Sequence, residues 1–220
     1  MKILFFGRHQ DTYSHKLSKF LKKKGSTKII WSDGKKNKIN FKINGLFDYI
    51  ICFRSNYILS KKVIDKAKIA AINFHPGTPE YRGIGCINLA LLNNVKEYGS
   101  TVHLINEKID SGYILDVTKF KVKIKDDLNS VLINTHQIMY KQSVRILKKI
   151  FLKPSIIRNL VLKNKNIKWG KQMMTRKKLD KLYEINFPVT EKLFQKKVRA
   201  LKIKDFHLYF KLKNKKYFID

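Results

Sequence analysis

Hydrophobic residues in the first third of the chain cluster in short segments at 2–7, 27–33, 47–53 and 68–74, and the run at 47–53 is unbroken. Runs of this kind are typical of strands buried on both faces of a parallel sheet. Apolar residues at helical spacing follow the first run, and a helix is predicted near 60–67. This alternation predicts an α/β fold with a Rossmann-like, mostly parallel sheet flanked by helices.

The pattern then changes. A loop rich in Pro and Gly at 75–85 leads into a predicted helix at 86–94. Strand-like runs at 100–105 and 113–124 flank a polar turn. A long amphipathic helix is predicted over 126–151.

Two polar segments interrupt the regular pattern. The stretch 34–45 is predicted to be a loop or a sheet edge, whereas Pro154 and the polar run 159–170 mark a boundary. We therefore predict a first domain at 1–152 and a small α+β C-terminal appendage at 153–220. The appendage is predicted to contain helices at 176–183 and 189–201 and a hairpin at 207–219.

The composition is that of a soluble globular protein, with no apolar stretch near the roughly 20 residues of a membrane span. No membrane partner is therefore expected. Cys52 and Cys86 match no metal or redox spacing, and two lone thiols favour a reducing, cytoplasmic location. The net charge of +32 predicts attraction to polyanions. The lysines are scattered along the chain, so a general lysine bias is favoured and a nucleic-acid face is the alternative.

Candidate chemistry gathers where predicted parallel strands end. Gly7 and Arg8 follow the first strand, residues 56–59 follow the third, and Asn73 and His75 close the 68–74 strand. Carboxyl ends of parallel strands form the usual ligand site of such sheets. Asn73 and His75 are two residues apart, so on an extended chain their side chains point to the same side.

Two segments carry a family resemblance: INFHPGTPEYRGIGCINLALLNN at 72–94 and GSTVHLINEKIDSGYIL at 99–115. Their ordered motifs resemble the formyltransferases that use 10-formyltetrahydrofolate, with weaker agreement from residue 2 onward. Members of that family act on glycinamide ribonucleotide, initiator methionyl-tRNA or nucleotide-linked amino sugars. The loop HPGTPEYRG departs from the family pattern, because it is one residue shorter and lacks a Leu-Pro pair.

The resemblance implies catalytic roles for Asn73, His75 and Asp110. Asn73 and His75 would stabilise the tetrahedral oxyanion that forms when an amine attacks the formyl carbon. Asp110 would orient His75 and relay a proton to the departing folate nitrogen, with no metal or nucleophilic residue required. His103, in the middle of a predicted strand, is expected to be packed or locally hydrogen-bonded.

The resemblance also implies contacts to the two substrates. The pterin pocket would be formed by Tyr57, Ile58, Leu59, Ile105, Asn106, Glu107 and Lys108, although the apolar members could equally be core. The acceptor would be bound by Gly7, Arg8, Tyr81 and Arg82. Arginine can bind an anionic group such as a phosphate in a bidentate manner.

The favoured function is transfer of a formyl group from 10-formyltetrahydrofolate to the amine of a nucleotide-linked amino sugar, because the tail is too short for a tRNA-binding barrel. Glycinamide ribonucleotide and methionyl-tRNA are alternative acceptors, and hydrolysis of the folate to formate is a further alternative. One alternative is not an enzyme: the chain could be a non-catalytic nucleic-acid-binding protein on the same scaffold. The C-terminal hairpin could form a homodimer interface or cover the edge of the sheet, and a homodimer is favoured.

Overall fold

A computed structural model describes residues 1–33, 42–204, 206–213 and 215–219. The strands are β1 (Lys2–Arg8), β2 (Ser26–Ser32), β3 (Phe47–Phe53), β4 (Ala67–His75), β5 (Arg82–Gly83), β6 (Glu97–Leu104), β7 (Ile114–Lys121), β8 (Met173–Met174), β9 (Leu208–Leu212) and β10 (Lys215–Ile219). The helices are α1 (Thr12–Lys22), α2 (Lys61–Ile64), α3 (Cys86–Leu92), α4 (Leu128–Leu152), α5 (Ile156–Lys163), α6 (Arg176–Leu182) and α7 (Glu191–Leu201).

Six strands form the main sheet, in the order β2-β1-β3-β4-β6-β7. The first four are parallel, and β6 and β7 continue the sheet in antiparallel fashion. The predicted mostly parallel α/β sheet is thus confirmed. Most of the predicted stretch 34–45 lies outside the described residues.

Strand β1 explains why the apolar runs are unbroken. Ile3 and Phe5 face one core layer together with α1 and α4, whereas Leu4 and Phe6 face a second layer on the α2 side. All four side chains are fully buried. Because successive strand side chains point to opposite faces, both faces of this strand must be apolar.

Helix α4 closes the first layer and agrees with the predicted helix to within two residues at its start. Asp127 caps it: its carboxylate accepts the Ser130 N–H, and the Ser130 hydroxyl accepts the Asp127 N–H. A buried network ties the helix to the sheet edge. The Ser100 hydroxyl donates to Gln142 Oε1 at 2.6 Å, and Gln142 Nε2 donates to Asp116 at 2.7 Å.

The C-terminal region contains two elements that were not predicted, α5 and the short strand β8. Part of the polar run 159–170 is helical, because α5 places Ile156, Ile157 and Leu160 against the core of the main sheet. The predicted hairpin is confirmed as β9 and β10. The division at residue 152 stays a prediction.

A second core joins the two halves of the sequence. Side chains of α3 and Tyr98 pack with Leu179, Ala200 and Leu208 of the later elements. Asn88 on α3 also donates a hydrogen bond to the Ala200 carbonyl at 2.9 Å. Among the described residues, no helix has the length and apolar character that crossing a bilayer demands.

Truncating a buried side chain of α4 should show how much the core between α4 and the sheet contributes to the free energy of unfolding. Leu147 is fully buried against the sheet. We expect Leu147→Ala to lower the free energy of unfolding by about 2–5 kcal/mol, because it removes buried apolar surface and leaves a cavity. Urea unfolding would measure this. Lys148→Ala, on the exposed side of the same helix turn, should change it by less than about 0.5 kcal/mol. Equal effects of the two variants would contradict the assignment of this face to the core.

Candidate active site

Asn73 and His75 lie at the end of β4, where the chain leaves the sheet. In the antiparallel pairing with β6, Asn73 is opposite His103 and His75 is opposite Thr101. Asn73 Nδ2 lies 3.0 Å from His103 Nε2. The two histidine side chains are almost completely buried, so the end of β4 carries a cluster of polar side chains inside the protein.

Asp110 completes the cluster from the turn between β6 and β7. Its Oδ2 lies 3.3 Å from His75 Nδ1, and its Oδ1 lies 3.5 Å from His103 Nε2. The Gly83 N–H also donates to Oδ2, at 2.9 Å. The structure therefore brings together all three residues that the sequence analysis predicted to be catalytic.

The backbone of Asp110 has a φ of +44°, in the left-handed region. Residues other than Gly rarely adopt this backbone conformation, although Asp and Asn tolerate it better than most. The turn thereby aims the carboxylate at the two histidines. The backbone strain is offset by the polar contacts that the Asp110 carboxylate makes.

Opposing effects act on the charge of Asp110. Burial disfavours the ionised form, but the proximity of His75, the hydrogen bond and charge of His103 and the Gly83 N–H outweigh it. Together they hold the pKa of Asp110 well below its usual range. The carboxylate is therefore ionised throughout the neutral pH range and can only accept hydrogen bonds.

The carbonyl partners define which ring nitrogens donate. His75 Nε2 donates to the Tyr81 carbonyl at 2.7 Å, and His103 Nδ1 donates to the Leu104 carbonyl at 2.8 Å, since a carbonyl oxygen can only accept. His75 Nδ1 faces the Asp110 carboxylate, so each ring nitrogen of His75 has an acceptor beside it. In the neutral ring, His103 Nε2 accepts from the Asn73 amide.

His103 is both locally bonded and part of the cluster. Its contact with the Leu104 carbonyl is the local bond that the sequence predicted. The contacts with Asn73 and Asp110 depend on the register between β4 and β6, which no local pattern encodes.

A segment from the C-terminal region covers the cluster. The Trp169 indole N–H donates to the Gly112 carbonyl at 2.8 Å, and its ring meets His103 and His75 edge to face, with centroid distances of 4.9 and 5.8 Å. Gly170 N–H donates to the Pro79 carbonyl at 2.9 Å. Sequence reasoning missed this contact, because Trp169 lies in a run predicted as a boundary.

Tyr81 and Arg82, predicted to bind the acceptor, make several contacts within the protein. Arg82 Nη2 donates to the Ile109 carbonyl at 2.8 Å, and Nη1 donates to the Gly170 carbonyl at 3.3 Å. Arg82 Nε is buried and has no partner among the described residues. These contacts hold the loop after β4 in place, and acceptor binding by these two residues stays a prediction.

Cys86 lies against the same histidine. Its sulfur is 3.8 Å from His75 Nε2. Burial, reinforced by the charge of Asp110, raises the pKa of the Cys86 thiol above its usual range. Because a neutral thiol is a poor nucleophile, Cys86 serves as a packing neighbour of His75.

The two segments predicted to form the pterin pocket meet on one core layer. Tyr57 and Ile105 pack against the layer that contains the buried Leu59, whereas Ile58 is 48% exposed. Asn106 Oδ1 accepts the Lys108 N–H at 3.1 Å, which shapes the exposed loop that also carries Glu107. The structure thus brings the two segments together, and folate binding by them stays a prediction.

A cluster of charged and polar side chains lies near the carboxyl ends of β1 and β3. Arg54 pairs with Asp11 and lies 3.0 Å from His136 Nδ1. Burial, reinforced by Arg54, lowers the pKa of His136 to about 3, so this imidazole is neutral. Arg8 is partly exposed and contributes positive potential at Arg54 and His136.

Gly7, predicted to allow close approach of the acceptor, has a packing reason to be glycine. A Cβ atom at this position would lie 2.7 Å from the rings of both Phe5 and Trp31. Its carbonyl accepts a hydrogen bond from the Ser32 hydroxyl at 3.1 Å. A contact between Gly7 and the acceptor stays a prediction.

Comparison with known proteins places this fold and site in one family. The family model for Formyl transferase matches residues 35–147, which is half of the chain. The chain belongs to the formyl transferase family.

Similar proteins include curated sequence relatives and solved structures. Methionyl-tRNA formyltransferase of Mycoplasmopsis pulmonis is 27% identical over 158 residues, which are 71% of this chain and 53% of that protein. The matched part is thus about half the length of that curated relative. Two solved structures have this fold over nearly their whole length. They are a 4-N formyltransferase from Francisella tularensis (TM-score 0.75, 17% identity, 99% of this chain and 96% of that one) and a likely sugar N-formyltransferase from Mycobacterium tuberculosis (TM-score 0.71, 18% identity, 99% and 95%).

The charge of Asp110 should be visible in the pH dependence of stability. We expect Asp110→Asn to lower the free energy of unfolding by about 1–3 kcal/mol at pH 7, because Asn tolerates the left-handed backbone but loses the charge beside His75. A carboxylate with a depressed pKa stabilises the fold above the pKa of the unfolded chain, about 3.9. Its contribution disappears as the pH falls toward the folded value.

Urea unfolding at a series of pH values would therefore show a gap between the native protein and the variant that narrows below about pH 4. Asp65→Asn provides the control, because Asp65 belongs to an exposed pair with Lys61. A gap that stays constant or widens on acidification would contradict the assignment of an ionised Asp110.

Proposed function

We propose that this protein transfers a formyl group from 10-formyltetrahydrofolate to the amine of a nucleotide-linked amino sugar. The observation that carries the proposal is the buried cluster of Asn73, His75, His103 and Asp110 on a formyl transferase scaffold. It combines an amide donor, two imidazoles and an ionised carboxylate, the groups that acyl transfer between two nitrogens requires.

In the proposed reaction the acceptor amine attacks the formyl carbon. Its new C–N bond forms, and the carbonyl oxygen becomes a tetrahedral oxyanion. One N–H of the Asn73 amide contacts His103, and its second N–H is the group that stabilises this oxyanion. His75 can add a second donor from Nε2 only by giving up its bond to the Tyr81 carbonyl.

Collapse of the intermediate breaks the bond between the formyl carbon and N10 of the folate. The amine loses a proton and N10 gains one, so a single relay can serve both. His75 Nδ1, facing the ionised Asp110, is the site at which we place that relay. The products are the N-formylated acceptor and tetrahydrofolate.

Folate as the formyl donor has support from structural neighbours. An N-formyltransferase from Helicobacter canadensis was solved in complex with folinic acid and dTDP-3-aminofucose (TM-score 0.66, 19% identity, 98% of this chain and 86% of that one). In the present chain, Asn56 Oδ1 is buried and has no hydrogen-bond partner among the described residues. It precedes Tyr57, so an acceptor oxygen is ready for a donor-bearing ring at the proposed pterin pocket.

An amino-sugar acceptor is supported by structural neighbours that are sugar N-formyltransferases, one solved with dTDP-3-aminofucose and another with dTDP. Methionyl-tRNA formyltransferases nevertheless dominate the sequence relatives, and the charge of +32 suits RNA. Methionyl-tRNA is therefore the second candidate acceptor.

The proposal can be tested by incubating the purified protein with 10-formyltetrahydrofolate and one acceptor at a time: dTDP-linked amino sugars, glycinamide ribonucleotide or charged initiator tRNA. Mass spectrometry would detect the formylated acceptor. We expect transfer to an amino sugar. Transfer to tRNA or glycinamide ribonucleotide alone would overturn the acceptor, and absence of transfer to every acceptor would overturn the function.

Asn73 should contribute strongly to turnover. We expect Asn73→Ala to reduce kcat by roughly a hundredfold to a thousandfold, the usual effect of removing one oxyanion donor. Steady-state kinetics would measure this, with circular dichroism to confirm folding. Asn129→Ala, an exposed position near the start of α4, is the matched control and should retain full activity. A loss below about tenfold for Asn73→Ala would remove this residue from the proposed mechanism.

Arg8 should act on acceptor binding. We expect Arg8→Ala to raise KM for a nucleotide-linked acceptor by roughly tenfold to a hundredfold, because a charge-assisted hydrogen bond contributes about 1.5–3 kcal/mol. The KM for the folate should stay unchanged. Lys28→Ala removes an exposed positive charge from β2 and should leave both constants unchanged. A rise in the folate KM instead would place Arg8 at the donor site.

A further inference from the structure

Trp169 is the one aromatic side chain from the C-terminal region that contacts both histidines of the cluster, among the residues the structure describes. Its indole N–H bond to the Gly112 carbonyl fixes the ring orientation. Gly112 itself is closely packed, since a Cβ atom there would lie 1.8 Å from the Leu104 carbonyl oxygen. The ring is therefore held against the cluster.

The segment that carries Trp169 is bound along its length. Gly170 donates to the Pro79 carbonyl and accepts from Arg82, and a Cβ atom at Gly170 would lie 2.2 Å from the Glu80 carbonyl oxygen. Strand β8 then pairs with β5, and the Ile84 N–H donates to Met174 at 3.1 Å. The indole is thus a fixed part of the site wall.

A fixed apolar wall matters because water competes with the amine. If water adds to the formyl carbon, the bond to N10 breaks, N10 takes a proton, and formate and tetrahydrofolate leave. The same donors and proton relay serve this reaction. Exclusion of water is a general way in which closed sites suppress such hydrolysis.

We propose that Trp169 is a positioning residue that closes the cluster to water, and thereby directs the formyl group to the amine. This inference rests on the proposed function. Trp169 thus has a role in the reaction, although it lies in a run that was predicted only as a domain boundary. The indole holds the rings of His75 and His103 in place and removes the space that an attacking water would occupy.

The test compares formate release with amine formylation, measured on the same samples of folded protein with 10-formyltetrahydrofolate and the best acceptor. We expect Trp169→Ala to raise the ratio of formate to formylated amine by on the order of tenfold or more. Trp169→Phe keeps an aromatic ring and should give an intermediate ratio. Ile167→Ala removes a half-exposed apolar side chain from the same segment and should leave the ratio unchanged. An unchanged ratio in both Trp169 variants, with transfer and hydrolysis falling together, would overturn the inference while leaving the proposed function intact.

A fluorescence measurement tests whether Trp169 is shielded from solvent, and it does not depend on catalytic activity. The chain has two tryptophans, so Trp169 is the only one in a Trp31→Phe background. We expect acrylamide to quench Trp169 weakly, and more weakly still when 5-formyltetrahydrofolate is bound. Quenching as strong as that of a free indole would overturn the inference, whether or not the alanine variant folds. Formate release by the unaltered protein with no formylation of any acceptor would contradict both the inference and the proposed function.

Discussion

The site depends on one interaction: the ionised carboxylate of Asp110, buried between two imidazoles. Burial alone would make the charge costly, and the carboxylate persists because His75, His103 and the Gly83 N–H all face it. The same contacts fix which nitrogen of each ring is turned toward it. A neutral side chain at this position would leave the histidines without the acceptor that orients them.

The rest of the fold supplies the geometry that this interaction requires. The end of β4 presents Asn73 and His75 on one face, and the antiparallel register brings His103 opposite Asn73. The turn before β7 accepts a left-handed residue so that Asp110 reaches the pair. The C-terminal segment then covers the cluster through Trp169. Elements distant in sequence thus contribute to one buried polar cluster.

The sequence predicted the part of this arrangement that is encoded locally. Unbroken apolar runs identified the parallel strands because both faces of β1 and β3 are buried. Spacing by two placed Asn73 and His75 on one side of β4, and family resemblance added Asp110. The link between His103 and Asn73 depends on strand register, and Trp169 reaches the site only through long-range packing. No local sequence pattern encodes either contact, so the composition of residues 159–170 indicates only a polar boundary.

The orientation of the two imidazoles tests the role of Asp110 most directly. Two-bond ¹H–¹⁵N correlation spectra distinguish the protonated nitrogen of each ring, with assignments from His75→Gln and His103→Gln variants. We expect a proton on His75 Nε2, which the Tyr81 carbonyl accepts, and a second proton on His75 Nδ1, which the ionised Asp110 carboxylate accepts. We also expect the Nδ1 proton to be lost in Asp110→Asn. Spectra that show no proton on His75 Nδ1 in the native protein, or that are unchanged in the variant, would contradict an organising role for Asp110.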